Sequence, residues 1–134
     1  MVERKWSIRL IQLAAIFGLI GAVIGSDMAG RGSYELRPIH AHILVVGWLS
    51  VFAWGIFYQM FTVRAKKLVT FQGFTAILGS IGLSVGMWLQ FLQPFNVNEV
   101  FALIFYIVGG TILLISFALF VLVTFMVEKQ GMNA

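Results

Sequence analysis

Four stretches without a single Asp, Glu, Lys or Arg, residues 10–26, 38–63, 68–98 and 100–127, make up most of this 134-residue chain. A helix needs about 20 consecutive apolar residues to cross a bilayer, and each stretch is long enough for one crossing. The expected fold is therefore an all-α membrane protein: a single domain over residues 1–134 formed by a bundle of four transmembrane helices near 7–26, 38–62, 69–92 and 99–126. Composition agrees. Hydrophobic residues are 60% of the chain and charged residues 10%, whereas a soluble domain carries about 25% charged residues. At this size surface-to-volume scaling leaves too little interior to hide so much apolar surface from water, so lipid must take the place of the missing core. The basic, then apolar N-terminus also has the outline of a signal peptide. The apolar character continues well beyond such a segment, and the stretch reads as a retained first helix.

The short charged segments set the expected orientation. Arg4, Lys5 and Arg9 stand at the start of the first helix, Arg64, Lys66 and Lys67 between the second and third, and Lys129 after the fourth. Only Arg31 and Arg37 fall on the opposite side, a division of seven against two among the nine Lys and Arg. Because cytoplasmic loops are enriched in Lys and Arg, both termini are expected in the cytoplasm and the chain in the inner (plasma) membrane. The same confinement of cations explains the net charge of +4 without a nucleic-acid partner. The absence of cysteine excludes a disulfide framework, a thiolate metal site and covalently attached haem.

Punctuation within the chain is sparse. Pro38 suits the first turn of the second helix, Pro94 closes the third, and Asn98 is placed to cap the fourth. Gly18, Gly21 and Gly25 recur in spacing as Gly79, Gly82 and Gly86. Both sets contain a GxxxG pair of the kind that lets helices approach closely, within a bundle or across a dimer. They would also leave room for a flat cofactor. Trp6, Tyr34, Trp88 and Phe95 fit an interfacial aromatic belt, and Gln59, Gln72, Thr75, Ser80 and Ser84 are available to bond across helices.

The two histidines, His40 and His42, both lie in the first turns of the second helix, and an ionisable group inside a span suggests function. Residues two apart are about 200° apart around a helix, so the pair cannot grip one ion from a single helix. A stripe of His40, Leu44, Gly47, Val51 and Trp54 runs down one face, with His42, Val46, Leu49 and Ala53 opposite. Gly47, about 10 Å below His40 at 1.5 Å per residue, sits beside Trp48 and would leave a flat slot suited either to a porphyrin or to helix packing.

The stretch Leu36-Arg37-Pro38-Ile39-His40, followed by Ala41-His42, Gly47-Trp48 and Gly55-Ile56-Phe57-Tyr58, resembles the second helix of subunit I in the haem-copper oxidase and nitric oxide reductase family. It is still more similar to a group of small four-helix membrane proteins related to that subunit. The resemblance covers under a fifth of the chain. It implies haem b with His40 as axial ligand near the outer face. No histidine follows His42, so the family's binuclear centre, and oxygen or nitric oxide reduction by it, is excluded for this chain alone. In the small relatives another histidine often stands near the start of the third helix, where this chain reads Thr70-Phe71-Gln72-Gly73. A sixth iron ligand would then come from His40 or His42 of a second copy in a homodimer, from Met87 or Met28, or be absent. Arg37 and Arg31 are the only cations on that side to meet haem propionates, although Arg37 also has Glu35 and Asp27 as available partners.

The expected role is electron transfer near the outer face, with quinol or a redox protein as partner. Two alternatives stand beside it: a non-catalytic accessory or assembly subunit of a larger membrane complex, and a copper- or zinc-binding protein using His40 and His42 from two copies. There is no intramembrane carboxylate away from the span ends to serve proton transport, and no motif of a nucleotide-binding or hydrolytic enzyme.

Overall fold

A backbone surrounded by hydrocarbon must satisfy its N–H and C=O groups internally, which leaves an apolar segment one regular choice, the helix. The computed structural model, which describes residues 1–128, has four helices long and apolar enough to cross a membrane: α1 Val2–Arg31, α2 Arg37–Met60, α3 Lys66–Leu92 and α4 Glu99–Phe125. Lys129 lies outside the described residues. α1 and α3 outrun the expected spans, while α2 and α4 end one or two residues short of them. The longest, α1, has 30 residues and extends about 45 Å at 1.5 Å per residue. Charge-free runs mark the part of a helix in hydrocarbon. They do not mark its ends, because charged residues such as Arg4 and Arg31 continue the helix into the interface. Leucines such as Leu19 and Leu114, 68% and 70% exposed, form an apolar outer surface suited to a lipid bilayer.

The start of α1 and the segment that follows α4 share one end of the bundle. There the Val63 and Val127 segments form a short antiparallel bridge, the Arg64 N–H donating to the Met126 carbonyl and the Glu128 N–H to that of Thr62, both at 2.9 Å. Glu3, fully buried, accepts the Val63 N–H at 3.0 Å and pairs with the Lys66 ammonium. At the other end α1 closes on Gly32, whose φ of 65° is the left-handed cap glycine supplies cheaply. Asn98 caps α4 as its sequence position suggests, its side-chain oxygen accepting the N–H groups of Val100 and Phe101 at 3.0 and 3.2 Å.

The two glycine stripes do the same job. Gly18, Gly21 and Gly25 of α1 pack under Trp48, Leu44 and His40 of α2, while Gly79, Gly82 and Gly86 of α3 pack against Leu113, Gly109 and Tyr106 of α4. At Gly82 a side chain would come within 3.1 Å of the Gly109 Cα, so the backbones themselves are in contact. The chain is thus two glycine-welded hairpins, with both GxxxG pairs used inside it.

Between the hairpins the contact is uneven. Toward the termini, Trp6 packs on Gly73 and edge-on to Phe74 at 4.8 Å, beside Leu10, Ala14, Val51, Trp54 and Val69. Tyr58 donates to Gln72 Oε1 at 2.8 Å, and Gln72 donates to Ser116 at 3.3 Å. This polar thread joins α2, α3 and α4. Trp6 is therefore core and not part of an aromatic belt, because Gly73 leaves a seat for its ring. Gln59 bonds Ser7 across helices as expected, but Thr75, Ser80 and Ser84 donate to carbonyls of their own helix, the local option always open to short hydroxyl side chains. Toward the histidine end only Phe17, Ile39, Ile43 and Met87 form a smaller buried cluster.

Candidate functional site

α2 is not a uniform α-helix. Over Ile43–Ser50 it widens to a π-helix: the Val51 N–H is directed to the Val46 carbonyl, five residues back, and the Ser50 hydroxyl donates to the Val45 carbonyl at 2.9 Å. Such i→i+5 segments are rare and recur at functional sites. This one begins directly after His42. The stripe survives the widening, with Gly47, Val51 and Trp54 buried and His40 and Leu44 half-buried, while His42 and Leu49 opposite are exposed.

His40 packs against α1 at Gly25. A Cβ placed on Gly25 would be 2.9 Å from the His40 Cε1 and 3.5 Å from Nε2, so only glycine lets the ring seat there. Its Nδ1 is buried and has no hydrogen-bond partner. His42 faces away, with Nδ1 2.9 Å from the Pro38 carbonyl. The two rings therefore present to different surroundings, as their spacing requires.

The remaining residues divide. Arg37 makes no ion pair with Glu35 or Asp27; its guanidinium lies over the Tyr34 ring at 4.6 Å. Arg31 takes Asp27 instead, at 2.8 Å, an exposed pair worth at most about 1 kcal/mol. Arg37 is the one of the two cations without a carboxylate partner among the described residues. The flat slot expected at Gly47 is filled by the ring of Phe17, a long-range contact that stripe geometry within α2 does not contain. Trp48 rests on Gly18, stacks with Phe52 at 5.2 Å and is partly exposed. Met87 packs with Ile39, Ile43 and Phe17 in the buried cluster, the setting of a core filler. Met28 lies in a small cleft with Asp27, Arg31 and Glu35.

Beside the site, an apolar groove of about 480 Å³ opens between α1 and α3, bounded by Ile20, Ile24, Ile39, Ile43, Val85 and Trp88. Neither histidine lines it. Among the described residues no group of three or more His, Asp or Glu side chains converges on a point that would hold a metal ion. One feature escaped the sequence reading: the side-chain oxygen of Gln90, near the same end of α3, is also buried without a partner. No sequence pattern distinguishes Gln90 from Gln72, the other glutamine of α3.

No protein-family model matches the chain, and no curated protein or solved structure matches it either.

Proposed function

We propose that this chain is a b-type haem-binding membrane protein in which His40 supplies an axial ligand, and that it carries electrons near the outer face of the membrane. The observation that carries the reading is the His40 Nδ1, buried without a partner. A buried polar atom left unpaired costs about 1–3 kcal/mol, and one that is kept calls for an explanation such as a functional role or a partner that the chain does not itself supply. The Gly25 seat, which admits the ring only because no Cβ is present, and the adjoining π-helical turn add to this support. Arg37, without a carboxylate partner among the described residues, offers a propionate partner. Bound haem would supply the one-electron chemistry; the chain's own part is to hold the imidazole, exclude water and tune the site through burial. With the Gly47 slot closed by Phe17, the second ligand and the far face of the haem come from a second copy or a partner subunit. The excess of Lys and Arg at the terminal end supports cytoplasmic termini in the inner membrane, with quinol or an outer redox protein as electron partner.

The test is a visible spectrum, oxidised and dithionite-reduced, of detergent-purified protein with a pyridine haemochrome assay. A Soret band with sharp reduced α and β bands, lost in His40→Ala, is expected. A colourless protein expressed with ample haem refutes the reading. The open groove between α1 and α3 favours a second reading, an accessory subunit that receives a partner helix there, and co-purification of a stoichiometric partner with colourless protein would establish it.

A further inference from the structure

At the terminal end, away from the histidines, a second groove of about 310 Å³ lies between the starts of α1 and α3, lined by Val2, Lys66, Lys67, Thr70 and Phe71. Its two halves differ in chemistry. Phe71, 66% exposed, and Val2 form an apolar wall. Lys66 and Lys67 supply the charge, and no acidic residue stands in the first turn of α3. Lys66 is held by Glu3, which fixes that side of the groove to α1. Lys67 has no carboxylate partner among the described residues.

We infer that this groove binds an anionic phospholipid of the adjacent leaflet, its headgroup phosphate on Lys67 and its first acyl segment along Phe71 and Val2. Charge complementarity selects the headgroup. The amphipathic lining selects a lipid over a soluble anion, because a free phosphate would engage the lysine and leave the apolar wall unused. The position fits as well: the groove opens where helix ends meet the interface, the level at which a headgroup and the start of its chains lie together. The inference is independent of the haem reading and holds for either orientation of the chain.

Native mass spectrometry of the full chain released from detergent, titrated with phosphatidylglycerol or phosphatidylcholine, tests it. One phosphatidylglycerol should be retained in preference to phosphatidylcholine. Lys67→Gln should weaken its binding about five-fold, the equivalent of about 1 kcal/mol for one basic residue near a lipid surface. Phe71→Ser should weaken it too, whereas Arg4→Gln, a cation outside the groove, should leave it unchanged. Thermal unfolding in detergent checks that each variant is folded. Equal retention of the two lipids overturns the inference. So does an Arg4→Gln effect as large as that of Lys67→Gln, which would mean diffuse attraction to a basic surface. Displacement by inorganic phosphate would identify a simple anion site and overturn it as well.

Discussion

His40 and Gly25 form a ring-on-backbone pair: a Cβ on residue 25 would come within 2.9 Å of the imidazole Cε1. The glycine of one helix thereby fixes the position of the histidine on the next. Gly25→Ala should push the ring outward, and Gly25→Leu should expel it. Overpacking of this kind costs about 1–3 kcal/mol, and the leucine variant should fall at the upper end. If His40 is a haem ligand, Gly25→Ala should shift the Soret band and Gly25→Leu should remove the pigment while the protein remains folded by circular dichroism. An unchanged spectrum in a pigmented Gly25→Leu protein would exclude His40 as ligand.

Gly109 is a harsher site. A Cβ there would run into the Gly82 backbone, whereas one on the neighbouring Gly110 finds only a Leu83 methyl at 3.6 Å. Backbone cannot rotate aside as a side chain can. Gly109→Ala should therefore destabilise the bundle by about 1–3 kcal/mol, while Gly110→Ala should be neutral or stabilising by up to about 1 kcal/mol through helix propensity. Reversible unfolding in mixed micelles separates the two.

Glu3 ties three segments together. Glu3→Ala would leave the buried Val63 N–H unpaired and release Lys66, with an expected loss of about 1–3 kcal/mol. Glu3→Gln keeps an acceptor for Val63 and should lose less. Hydrogen exchange at the Arg64 and Glu128 amides, which close the bridge to the C-terminal segment, should accelerate in the alanine variant and not in one altered at the histidine end.

Tyr58 and Gln72 test the polar thread. Tyr58→Phe removes the donor at 2.8 Å from Gln72 Oε1 in a fully buried setting. Membrane hydrogen bonds average about 0.6 kcal/mol with a maximum near 1.7, so a loss of about 0.5–2 kcal/mol is expected. Adding Gln72→Leu should cost less than the sum of the two single changes, because the stranded acceptor goes with it. Strict additivity would mean that the bond contributes nothing.

How much of this was legible in the sequence depends on the range of the interaction. Four crossings follow from charge-free runs alone, and the shared face of His40, Leu44, Gly47, Val51 and Trp54 follows from helical spacing, although which of the two opposite stripes faces inward does not. The proline in the first turn at Pro38 and the cap at Asn98 are equally local. What failed was set by a distant neighbour: Trp6 is buried because Gly73 lies opposite, and the slot at Gly47 is closed because Phe17 enters it. Glycine spacing announced close packing but did not name the partner helix. Of the candidate site, the divergence of His40 and His42 was readable, while the unpaired Nδ1 and the buried Gln90 oxygen depend on surroundings that no local pattern encodes.

The π-helical stretch has no compositional signature either, yet it makes the sharpest prediction. An i→i+5 turn holds one residue more than the α-helical turn it replaces, and π-bulges arise as such insertions. Deleting the exposed Leu49, which lies within Ile43–Ser50, should let the segment close to i→i+4 bonding while His40 above and Trp54 below keep nearly their present faces. Deleting Ala53, in the regular α-helical part, has no surplus residue to absorb and rotates everything on one side by about 100°. The Leu49 deletion should therefore fold, and the Ala53 deletion should not accumulate in the membrane. If the wide turn serves the site by adjusting His40 against Gly25, the folded Leu49 deletion should also bind haem more weakly or with a shifted spectrum, read by the same haemochrome assay. Equal damage from both deletions would show that the wide turn is not a removable insertion.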